Sequence, residues 1–310
     1  MNALGATNPL AESRERRMPR RGKPEWVNIS FMVTAHAVAA LAVIYLVTVR
    51  CSPWTVGLGI VWFLLSGLSI SGGYHRLFAH RSYHAAAPVR FGYLLFAAAA
   101  VQNSALRWAA DHRVHHAHTD SESDPYSIRR GFWWAHLGWV LFRNPDRAGK
   151  GSAPDLEADA LIAFQHRYYL PIAIVFGALL PGALGFLWGD PIGALLVVGF
   201  LRLVVQWHVT FSINSFAHWI GRQPYCTDST ARDSGLTALI SFGEGYHNFH
   251  HRFQADYRTG IRWHDADPAK WWIWTMSRIG LARDLRRVPR DRIRAVRAAR
   301  DARANRPRAD

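Results

Sequence analysis

Long stretches without a charged side chain constrain this chain more than any other feature of its sequence. The first two, residues 27–49 and 54–73, contain no Asp, Glu, Lys or Arg over 23 and 20 positions. A second pair, 168–188 and 191–214, is joined by a Gly-Asp dipeptide. About 20 apolar residues in a helix cross the roughly 30 Å hydrocarbon core of a bilayer. The sequence therefore predicts an all-α integral membrane protein with four transmembrane helices, arranged as two hairpins.

Three further features of the sequence bear on this interpretation of the spans. Arg202 interrupts the last span, and because a charge at that depth is costly, we expect it to face the protein interior or water. Residues 89–108 are apolar enough for a short span, although they turn polar from Gln102 onward. Residues 131–142 are too short and too aromatic to cross, which is typical of an interfacial segment.

The net charge of +15 at pH 7 is concentrated at the two ends of the chain. Residues 1–26 contain six arginines and lysines, and residues 281–310 are rich in arginine and poor in aromatic side chains. The C-terminal segment is typical of a polar helical tail. Charge in these places favours contact with an anionic membrane surface over binding of nucleic acid.

The cysteines and the N-terminus bear on compartment and orientation. Cys51 and Cys226 are far apart, so neither a disulfide framework nor a thiolate metal site is predicted. The polar N-terminus predicts that there is no cleavable signal peptide. Its positive charge predicts a cytoplasmic start, so that the loop 74–167 and the tail 215–310 face the cytoplasm. The abundance of Ala and Arg favours a bacterial cytoplasmic membrane.

Nine of the sixteen histidines fall into four short motifs. The first motif directly follows the second predicted span, and the third ends just beyond the fourth. Both hairpins would therefore bring histidines to the same side of the membrane. The motifs are HRLFAH with His75 and His80, HRVHH with His112, His115 and His116, NSFAH with Asn214 and His218, and HNFHH with His247, His250 and His251.

The spacing within these motifs is typical of metal ligands. Helix positions i, i+3 and i+4 share a face, so each H-x-x-H-H cluster is expected to aim its imidazoles at one point. His75 and His80 are five apart and match one face poorly, so their helix end is expected to deviate. Neutral imidazole suits Fe, Zn, Cu and Ni. Nine ligands exceed the needs of one ion, and a structural zinc site uses four ligands that usually include Cys, so we predict two iron ions.

A shared metal site also constrains residues 89–108. If this segment crossed the bilayer, the HRVHH motif would lie on the side opposite to His75 and His80, and the four motifs would not meet. We therefore expect 89–108 to lie along the cytoplasmic leaflet or to dip into it.

The order of the four motifs along two membrane hairpins resembles that of the membrane fatty-acid desaturases, most closely the acyl-CoA Δ9 desaturases of the stearoyl-CoA type. The stretches QNSALRWAADHRVHH, SDPYSIRRGFWWAHLGWVLFR and GEGYHNFHHRFQADYRTGIRW share in the resemblance. It implies a desaturase domain over 27–285 with a cytoplasmic helical cap from 74–167 and 215–285. A basic N-terminus, 1–26, would precede this domain, and an arginine-rich tail, 286–310, would follow it.

The resemblance implies a di-iron centre held by the nine histidines, with Asn214 completing one metal's shell through water. Such a centre uses O2 and two electrons to place a cis double bond in an acyl chain, forming water. An unactivated C–H bond offers nothing to acid–base catalysis, so an oxidising metal is needed. Among the carboxylates, Asp111, Asp120 and Glu244 are candidates to orient imidazole N–H groups, the alternative for each being a surface ion pair.

The substrate implied by the resemblance is a fatty acyl thioester in a narrow apolar tunnel that bends at the irons. The positions that match the family at the bend are Gln102, Trp108 and Thr210, although Trp108 is equally compatible with plain packing. The positions that match contacts to the carrier head group are Asn103, Asp111 and Arg143.

Two positions depart from the family pattern at the carrier end. Ala110 replaces an arginine before the aspartate of the DHR sequence, and Asn144 replaces a basic residue after Arg143. Both changes weaken the assignment to CoA and leave an acyl carrier protein or an intact lipid open as the carrier. No cytochrome b5-like domain follows the tail, so a separate ferredoxin or cytochrome b5-type electron donor is expected, and no nucleic acid.

Other functions are also compatible with the sequence. A related di-iron hydroxylase, acetylenase or alkane oxidase would use an overlapping ligand set. A divalent-metal transporter or binding protein would place its ligands near the bilayer midplane, whereas these histidines lie at span ends and in loops. A bis-histidine haem protein would use histidines within spans, for which His36 and His208 are the candidates. His136, like His36, is most simply interpreted as a packed or surface histidine.

Overall fold

The computed structural model describes residues 22–49, 51–143 and 151–304, and their regular structure is almost entirely helical. A two-residue antiparallel ladder pairs β1 (His84–Ala85) with β2 (Ala282–Arg283). The predicted all-α class is therefore confirmed, with this small addition. Asn144 and most of the basic N-terminus lie outside the described residues.

The helices form a series of long and short elements along the chain. The first two and the eighth and ninth are long and apolar enough to cross a membrane, so the four predicted spans are confirmed as candidate membrane helices. In chain order the helices are α1 (Trp26–Thr48), α2 (Pro53–Ala79), α3 (Ala87–Ala98), α4 (Ala105–His118), α5 (134–141), α6 (Pro154–Glu157), α7 (Ala160–Arg167), α8 (Tyr169–Trp188), α9 (Pro191–Trp219), α10 (Gly235–Ile240), α11 (His247–Arg252), α12 (Pro268–Arg278) and α13 (Arg290–Ala304).

Local sequence explains why each membrane hairpin turns where it does. Pro53 begins α2, and the Ser52 side chain accepts a hydrogen bond from the backbone N–H two residues later. Pro191 begins α9, and Asp190 caps that helix in the same manner. Proline fits the first helical position because its missing N–H has no partner there in any helix. Gly189 ends α8 with φ of 73°, a left-handed conformation that glycine adopts without strain.

α9 is the central helix of the membrane region, with α1, α2 and α8 packed around its N-terminal half. Small residues allow the close approach: Ala35 and Ala39 of α1 are buried against a cluster that includes Leu203 and Trp207 of α9. The outer faces of α1 and α8 expose apolar side chains, which is expected of surfaces that contact lipid. Examples are Val33, Leu41 and Val47 on α1 and Leu170, Leu179 and Leu187 on α8.

Arg202 of α9 faces the protein interior, as expected from its place in a span. It is 4% exposed. Its guanidinium donates hydrogen bonds to the carbonyl oxygens of Val198 and Ala99, each at 2.9 Å. The charge is therefore solvated by backbone carbonyl groups within the helix bundle.

Residues 89–108 do not form a single helix. α3 ends at Ala98, and α4 begins at Ala105 after a turn in which Val101 and Asn103 have positive φ values. Ser104 caps α4 by accepting from the N–H of Arg107. The segment is accordingly not one of the candidate spans. Its position relative to a membrane leaflet stays a prediction.

We call the short helices between α2 and α8 and those after α9 the cap. Of these, α3, α4, α6, α7 and α12 share one hydrophobic core, whereas α5 packs against α1 and α9. The shared core is continuous with the end of α2 and includes Tyr83, Leu94, Ile162 and Ile273, each almost fully buried. α13 lies in the predicted tail and packs through Ile293 against aromatic residues of and just after α11. The predicted domain boundaries and the cytoplasmic location of the cap stay predictions.

Candidate metal centre

Four regions of the chain bring the nine predicted histidines together. The end of α2, the C-terminal half of α4, the end of α9 and the short helix α11 each contribute. The histidines form two groups, and within each group the nearest ring nitrogens lie within 4.8 Å of one another. Group 1 comprises His75, His80, His112, His116 and His250, and group 2 comprises His115, His218, His247 and His251.

In group 1 the Nε2 atoms of all five rings converge. Adjacent Nε2 atoms are separated by 2.9–3.0 Å around the group. The rings meet edge to face, with the centroids of His75 and His80 4.8 Å apart. Because the lone-pair edges of the imidazoles point inward, the group presents a concentrated set of nitrogen ligands.

Group 2 is built in the same way from four rings. Nε2 of His251 lies 3.3 Å from Nε2 of His115 and 3.1 Å from Nε2 of His247. The His218 ring packs 4.8 Å from that of His247. Nε2 of His218 is buried and makes no hydrogen bond.

The two H-x-x-H-H motifs each divide their histidines between the groups. In α4, His112 and His116 join group 1 whereas His115 joins group 2, and in α11 His250 is separated from His247 and His251. Adjacent residues point about 100° apart around a helix, so only the members of an i, i+4 pair converge. The expectation that each motif aims at one point is therefore corrected: each motif bridges two groups.

A widened helical turn explains how His75 and His80 reach the same group. Residues Ser69–Ala79 at the end of α2 form π-helical turns, and the N–H of His80 donates to the carbonyl oxygen of His75, five residues back. A π turn closes over five residues instead of four, so residues five apart lie on nearly the same face. The expected deviation of this helix end is thus present.

Glu244 orients the ring of His75. Its Oε2 lies 3.0 Å from Nδ1 of His75, and its Oε1 pairs with Arg76 at 2.9 Å and accepts from Ser71. Burial by itself would raise the pKa of Glu244, but the buried Arg76 and His75 outweigh it and hold that pKa well below its usual value. The ionised carboxylate keeps the proton of His75 on Nδ1, which leaves the Nε2 lone pair for a metal.

Two further histidines are oriented in the same sense in group 2. Nδ1 of His115 lies 2.9 Å from Asp124. Nδ1 of His218 lies 2.7 Å from the hydroxyl of Thr230, which itself donates to Asp120 at 2.6 Å. Because the single Thr230 hydroxyl hydrogen is used on Asp120, His218 must donate from Nδ1. The unpartnered Nε2 of His218 is then a free lone pair directed into group 2.

Six of the histidines outside the spans are held in the neutral form. Burial, reinforced by the neighbouring imidazoles, lowers the pKa of each well below the ordinary histidine value. A neutral imidazole is the form that binds a metal. The six are His80, His112, His116, His247, His250 and His251.

Both groups fit metal ions. Two imidazole nitrogens bound at right angles to an ion, each about 2.1 Å from it, lie about 3.0 Å apart, which matches the contacts in group 1. In group 2 the buried Nε2 of His218 has no other partner, and an unpaired buried polar atom costs about 1–3 kcal/mol. An all-imidazole donor set suits several first-row metals, so the geometry supports a metal site without selecting the element.

A cavity of about 830 Å³ runs beside both groups. His75 and His112 of group 1 and His115 and His247 of group 2 line it, and so does Asn214, one turn before His218. Much of the remaining wall is apolar. It includes Met32, Ile70, Trp207, Phe211 and Phe242.

All six residues predicted to contact substrate line this cavity. Gln102 donates to the Thr210 hydroxyl at 2.9 Å, and the Trp108 ring stacks on His112 with centroids 4.9 Å apart. Asn103 and Asp111 also line the cavity, and the exposed Arg143 pairs with Glu25 at 2.6 Å. The cavity therefore joins the bend residues to the head-group residues, while their roles in binding stay a proposal.

Some of the residues that support the histidines are among the carboxylates predicted from the sequence, and others are not. Glu244 contacts a histidine directly and Asp120 acts through Thr230, whereas Asp111 is placed on the cavity wall. Asp124 and Thr230 were not anticipated. The only available signal for Asp124 was an acidic residue in the short loop after the HRVHH motif.

The structure combines four candidate membrane helices, two buried histidine clusters able to hold metal ions and an apolar cavity beside them. These features define a membrane protein with a histidine-rich metal site. The family model for fatty acid desaturases matches residues 52–282. The chain belongs to the fatty acid desaturase family.

Individual relatives agree with this family. The chain is 43% identical over 241 residues to a probable acyl-CoA desaturase of Schizosaccharomyces pombe, covering 77% of this chain and 50% of that protein. It is 36% identical over 277 residues to the human stearoyl-CoA desaturase, covering 87% and 76%. It is 34% identical over 253 residues to the Caenorhabditis elegans Delta(9)-fatty-acid desaturase fat-7, covering 80% and 75%. The chain thus spans about half the length of the fission-yeast relative.

Proposed function

We propose that this protein is an O2-dependent di-iron fatty acyl desaturase, an oxidoreductase that introduces a cis double bond at Δ9 into a saturated acyl chain carried as a thioester. The observation that carries the proposal is a single apolar cavity lined by members of both histidine groups. The names of the relatives, which include acyl-CoA desaturases and a Δ9 desaturase, support the same reaction.

The reaction balances as one –CH2–CH2– unit, O2, two electrons and two protons giving one –CH=CH– unit and two water molecules. Two bound iron ions would supply the oxidising power that removes hydrogen from unactivated methylenes. The nine histidines of groups 1 and 2 are the proposed ligands, with Asn214 acting through water.

The protein's own side chains prepare the site for this chemistry. Glu244, Asp124 and Thr230 hold three imidazoles with Nδ1 protonated and Nε2 facing the group. Burial keeps the other rings neutral, so they are ready to bind a cation without first losing a proton.

The cavity is proposed to hold the acyl chain against group 1. The ring of Trp108, stacked on His112, forms part of the cavity wall next to this proposed ligand. The Gln102–Thr210 hydrogen bond joins the turn before α4 to α9 and supports the proposed bend. The apolar wall excludes water from the reacting methylenes, which limits side reactions of the oxidant.

Acyl-CoA is the proposed carrier, on the strength of the relatives' names. Asn103, Asp111 and Arg143 would contact the head group where the cavity opens. Because Ala110 lacks the basic side chain found in the family, an acyl carrier protein or an intact lipid is a second carrier to be tested with purified substrates.

The remaining partners are proposed from the reaction and the sequence. Two electrons per turnover would come from a ferredoxin or a cytochrome b5-type protein. The basic N-terminus supports a cytoplasmic orientation of the cap and the site, in a bacterial cytoplasmic membrane.

Two other classes fit the geometry less well. Nε2 of His36 is 3.1 Å from Nε2 of His208, whereas an iron between two axial nitrogens needs them about 4 Å apart, at about 2 Å from each. The spacing therefore disfavours a bis-histidine haem. The histidine groups lie at the ends of α2 and α9 and in the cap, whereas transporter ligands normally lie near the midplane.

The test combines metal and product analysis. Protein purified from iron-replete cells is assayed for iron, and the fatty acids of hosts expressing wild type, His250→Ala or the exposed-residue control His264→Ala are compared. We expect about two irons per chain, and new monounsaturated fatty acids with wild type and the control but not with His250→Ala.

Other outcomes would change the proposal in defined ways. Two irons with hydroxylated or alkyne products would keep the site and replace the reaction. Stoichiometric zinc, with no iron on reconstitution and no change in lipids, would contradict the desaturase function.

A further inference from the structure

A third histidine cluster lies apart from groups 1 and 2, where α1, α5 and α9 meet. His36 of α1, His208 of α9 and His136 of α5 form a continuous hydrogen-bonded chain. Nε2 of His36 lies 3.1 Å from Nε2 of His208, and Nδ1 of His208 lies 3.0 Å from Nε2 of His136. The ends of the chain contact the Met32 carbonyl oxygen at 2.6 Å and the Ser215 hydroxyl at 2.9 Å.

The four contacts of this chain require more hydrogens than three neutral rings possess. The Met32 carbonyl oxygen only accepts, and the Ser215 hydroxyl donates its hydrogen to the Phe211 carbonyl oxygen at 2.9 Å. While Ser215 keeps that hydrogen bond, each of the four contacts takes its hydrogen from an imidazole, which makes four. Three neutral imidazoles carry three N–H groups. All contacts are satisfied together only when the chain holds one additional proton.

The contact pattern distinguishes this chain from a metal site. In group 1, several rings direct the same atom, Nε2, toward one region. In the hydrogen-bonded histidine chain, His208 contacts His36 through Nε2 and His136 through Nδ1, so its two nitrogens point in opposite directions. A single ion would reach two of the rings at most. A linear run of imidazoles that each accept and donate is instead an arrangement that passes protons.

The three hydrogen-bonded histidines are surrounded by aromatic rings and by charged side chains that have other partners. Aromatic rings pack against it, including Trp207 at 6.3 Å from His36 and Phe132 stacked at 5.8 Å on His136. Charged residues on the neighbouring elements have their own partners: Glu25 pairs with Arg143, Arg202 binds carbonyl oxygens, and Arg130 lies over the Trp134 ring. His218 on α9 is engaged with Thr230.

We propose that His36, His208 and His136 bind one proton between them, reversibly between about pH 5.5 and pH 8, and hold it for delivery toward the metal centre. The delivery role rests on the proposed desaturase function, which consumes two protons per turnover. The hydrogen-bonded chain ends at Ser215, and the preceding residue, Asn214, lines the cavity that His247 also lines. Burial and the nearby His208 lower the pKa of His136, so the proton is released readily toward neutral pH.

The proton count is tested on metal-loaded protein in detergent micelles. Proton uptake on acidification from about pH 8 to about pH 5.5 is compared between wild type and a triple variant with His36→Gln, His136→Gln and His208→Gln. We expect the triple variant to take up about one proton fewer. A difference of zero would mean a neutral chain, and a difference of two or three would mean independent histidines; either overturns the proposal.

Two controls secure this measurement. His264→Gln removes one exposed histidine and shows the size of change that a single imidazole gives. Unchanged metal content verifies that the triple variant is folded. If the triple variant loses metal, ring ¹⁵N NMR of the wild type is used instead to count the protons on the three histidines. Two non-protonated ring nitrogens among the three histidines, assigned with single variants, support a shared proton, and three overturn it.

The delivery role has its own test. His208→Gln interrupts the chain at its middle, so we expect turnover with saturating substrate and reductant to fall about tenfold or more, with a changed solvent deuterium isotope effect and unchanged metal content. Unchanged turnover would overturn delivery while leaving the proton site in place. If wild type forms no desaturated product, the proposed function fails, and proton uptake still tests the site on its own.

Discussion

Among single residues, Glu244 has the most direct control over the candidate metal centre. It is 4% exposed, contacts Nδ1 of His75 at 3.0 Å, and is held ionised by Arg76. A carboxylate that accepts from Nδ1 fixes both the tautomer and the orientation of the ligand ring. The residue that holds the ligand in place is therefore more than 160 positions away from it in the chain.

We predict that Glu244→Gln weakens metal binding by about 10- to 100-fold. The neutral amide is able to present its N–H group to His75, which would favour the wrong tautomer, and it removes one of the two carboxylates that pair with Arg76. Metal retention during titration with a chelator measures the effect. Glu157→Gln, on the exposed face of α6, is the matched control and should behave as wild type. Equal retention in both variants would contradict the prediction.

Asp233 is the basis of a second prediction about a single residue, which concerns how folding stability depends on pH. Burial raises the pKa of its carboxyl to about 7 from an ordinary 3.8. The folded state therefore binds this proton more tightly than the unfolded chain, so stability from this group is present at low pH and is lost as pH rises from about 4 to about 7. The carboxyl also accepts the N–H of Phe249 at 3.0 Å.

Asp233→Asn removes the titration and keeps a side-chain oxygen as acceptor for Phe249. We expect the variant to have a higher Tm than wild type above pH 7 and a similar Tm near pH 4, measured by thermal unfolding at a series of pH values. Asp301→Asn, at an exposed position of α13, serves as the control for simple loss of charge. A Tm difference that does not change with pH would show that Asp233 does not titrate in this window.

Among the elements, α2 combines two roles because its helical geometry changes along its length. Its first part is an α-helix of a membrane hairpin, and its end, Ser69–Ala79, widens into π turns that carry His75. At that end Gly73 allows Tyr93 of α3 to approach closely. A Cβ at Gly73 would lie 2.7 Å from Cγ of Tyr93, whereas a Cβ at Gly57 of the same helix would contact nothing within 4 Å.

We predict that Gly73→Ala destabilises the protein by about 1–3 kcal/mol through overpacking, and that it lowers metal occupancy because the added methyl displaces the turn before His75. Gly57→Ala is the matched control and should be neutral or stabilising by up to about 1 kcal/mol. Thermal unfolding and metal analysis of both variants are the measurements. Equal effects at the two glycines would refute close packing as the reason for Gly73.

For the whole molecule, contacts at the two ends of α9 join this helix to the first hairpin and to the cap. At one end Asp190 accepts hydrogen bonds from Tyr45 of α1 and Thr55 of α2, each at 2.6 Å. At the other end His218 meets the histidines of the cap. α9 is about 42 Å long at 1.5 Å per residue, so the two junctions are well separated.

Asp190→Ala should destabilise the protein by about 3 kcal/mol, since it removes hydrogen bonds to a buried charged acceptor, while leaving the metal-to-protein ratio of the folded fraction unchanged. Thermal unfolding and elemental analysis test the two parts. Thr48→Val, which removes an exposed hydroxyl contact on α1, controls for loss of a polar group near the same end. Loss of metal from the folded variant would contradict the prediction that the contacts at the two ends of α9 are independent.

Much of the architecture was open to prediction because it is encoded in contiguous segments. The absence of charge over 27–49 and 54–73 predicts membrane spans, since each charged residue placed in lipid adds its own unfavourable free energy. The four histidine motifs are equally local. The residues matched to the family, such as Gln102 and Thr210, do line one cavity.

The sequence by itself therefore determined the class of fold, the four spans and the identity of the clustered histidines, because each depends on composition or on spacing within one segment. Only the tertiary structure decided the division of His115 from His116, the support of His218 by Thr230, and the joining of His36 to His208 across 172 positions. These contacts depend on how separate helices pack and rotate against one another. That geometry is set by the whole bundle, and no single segment encodes it.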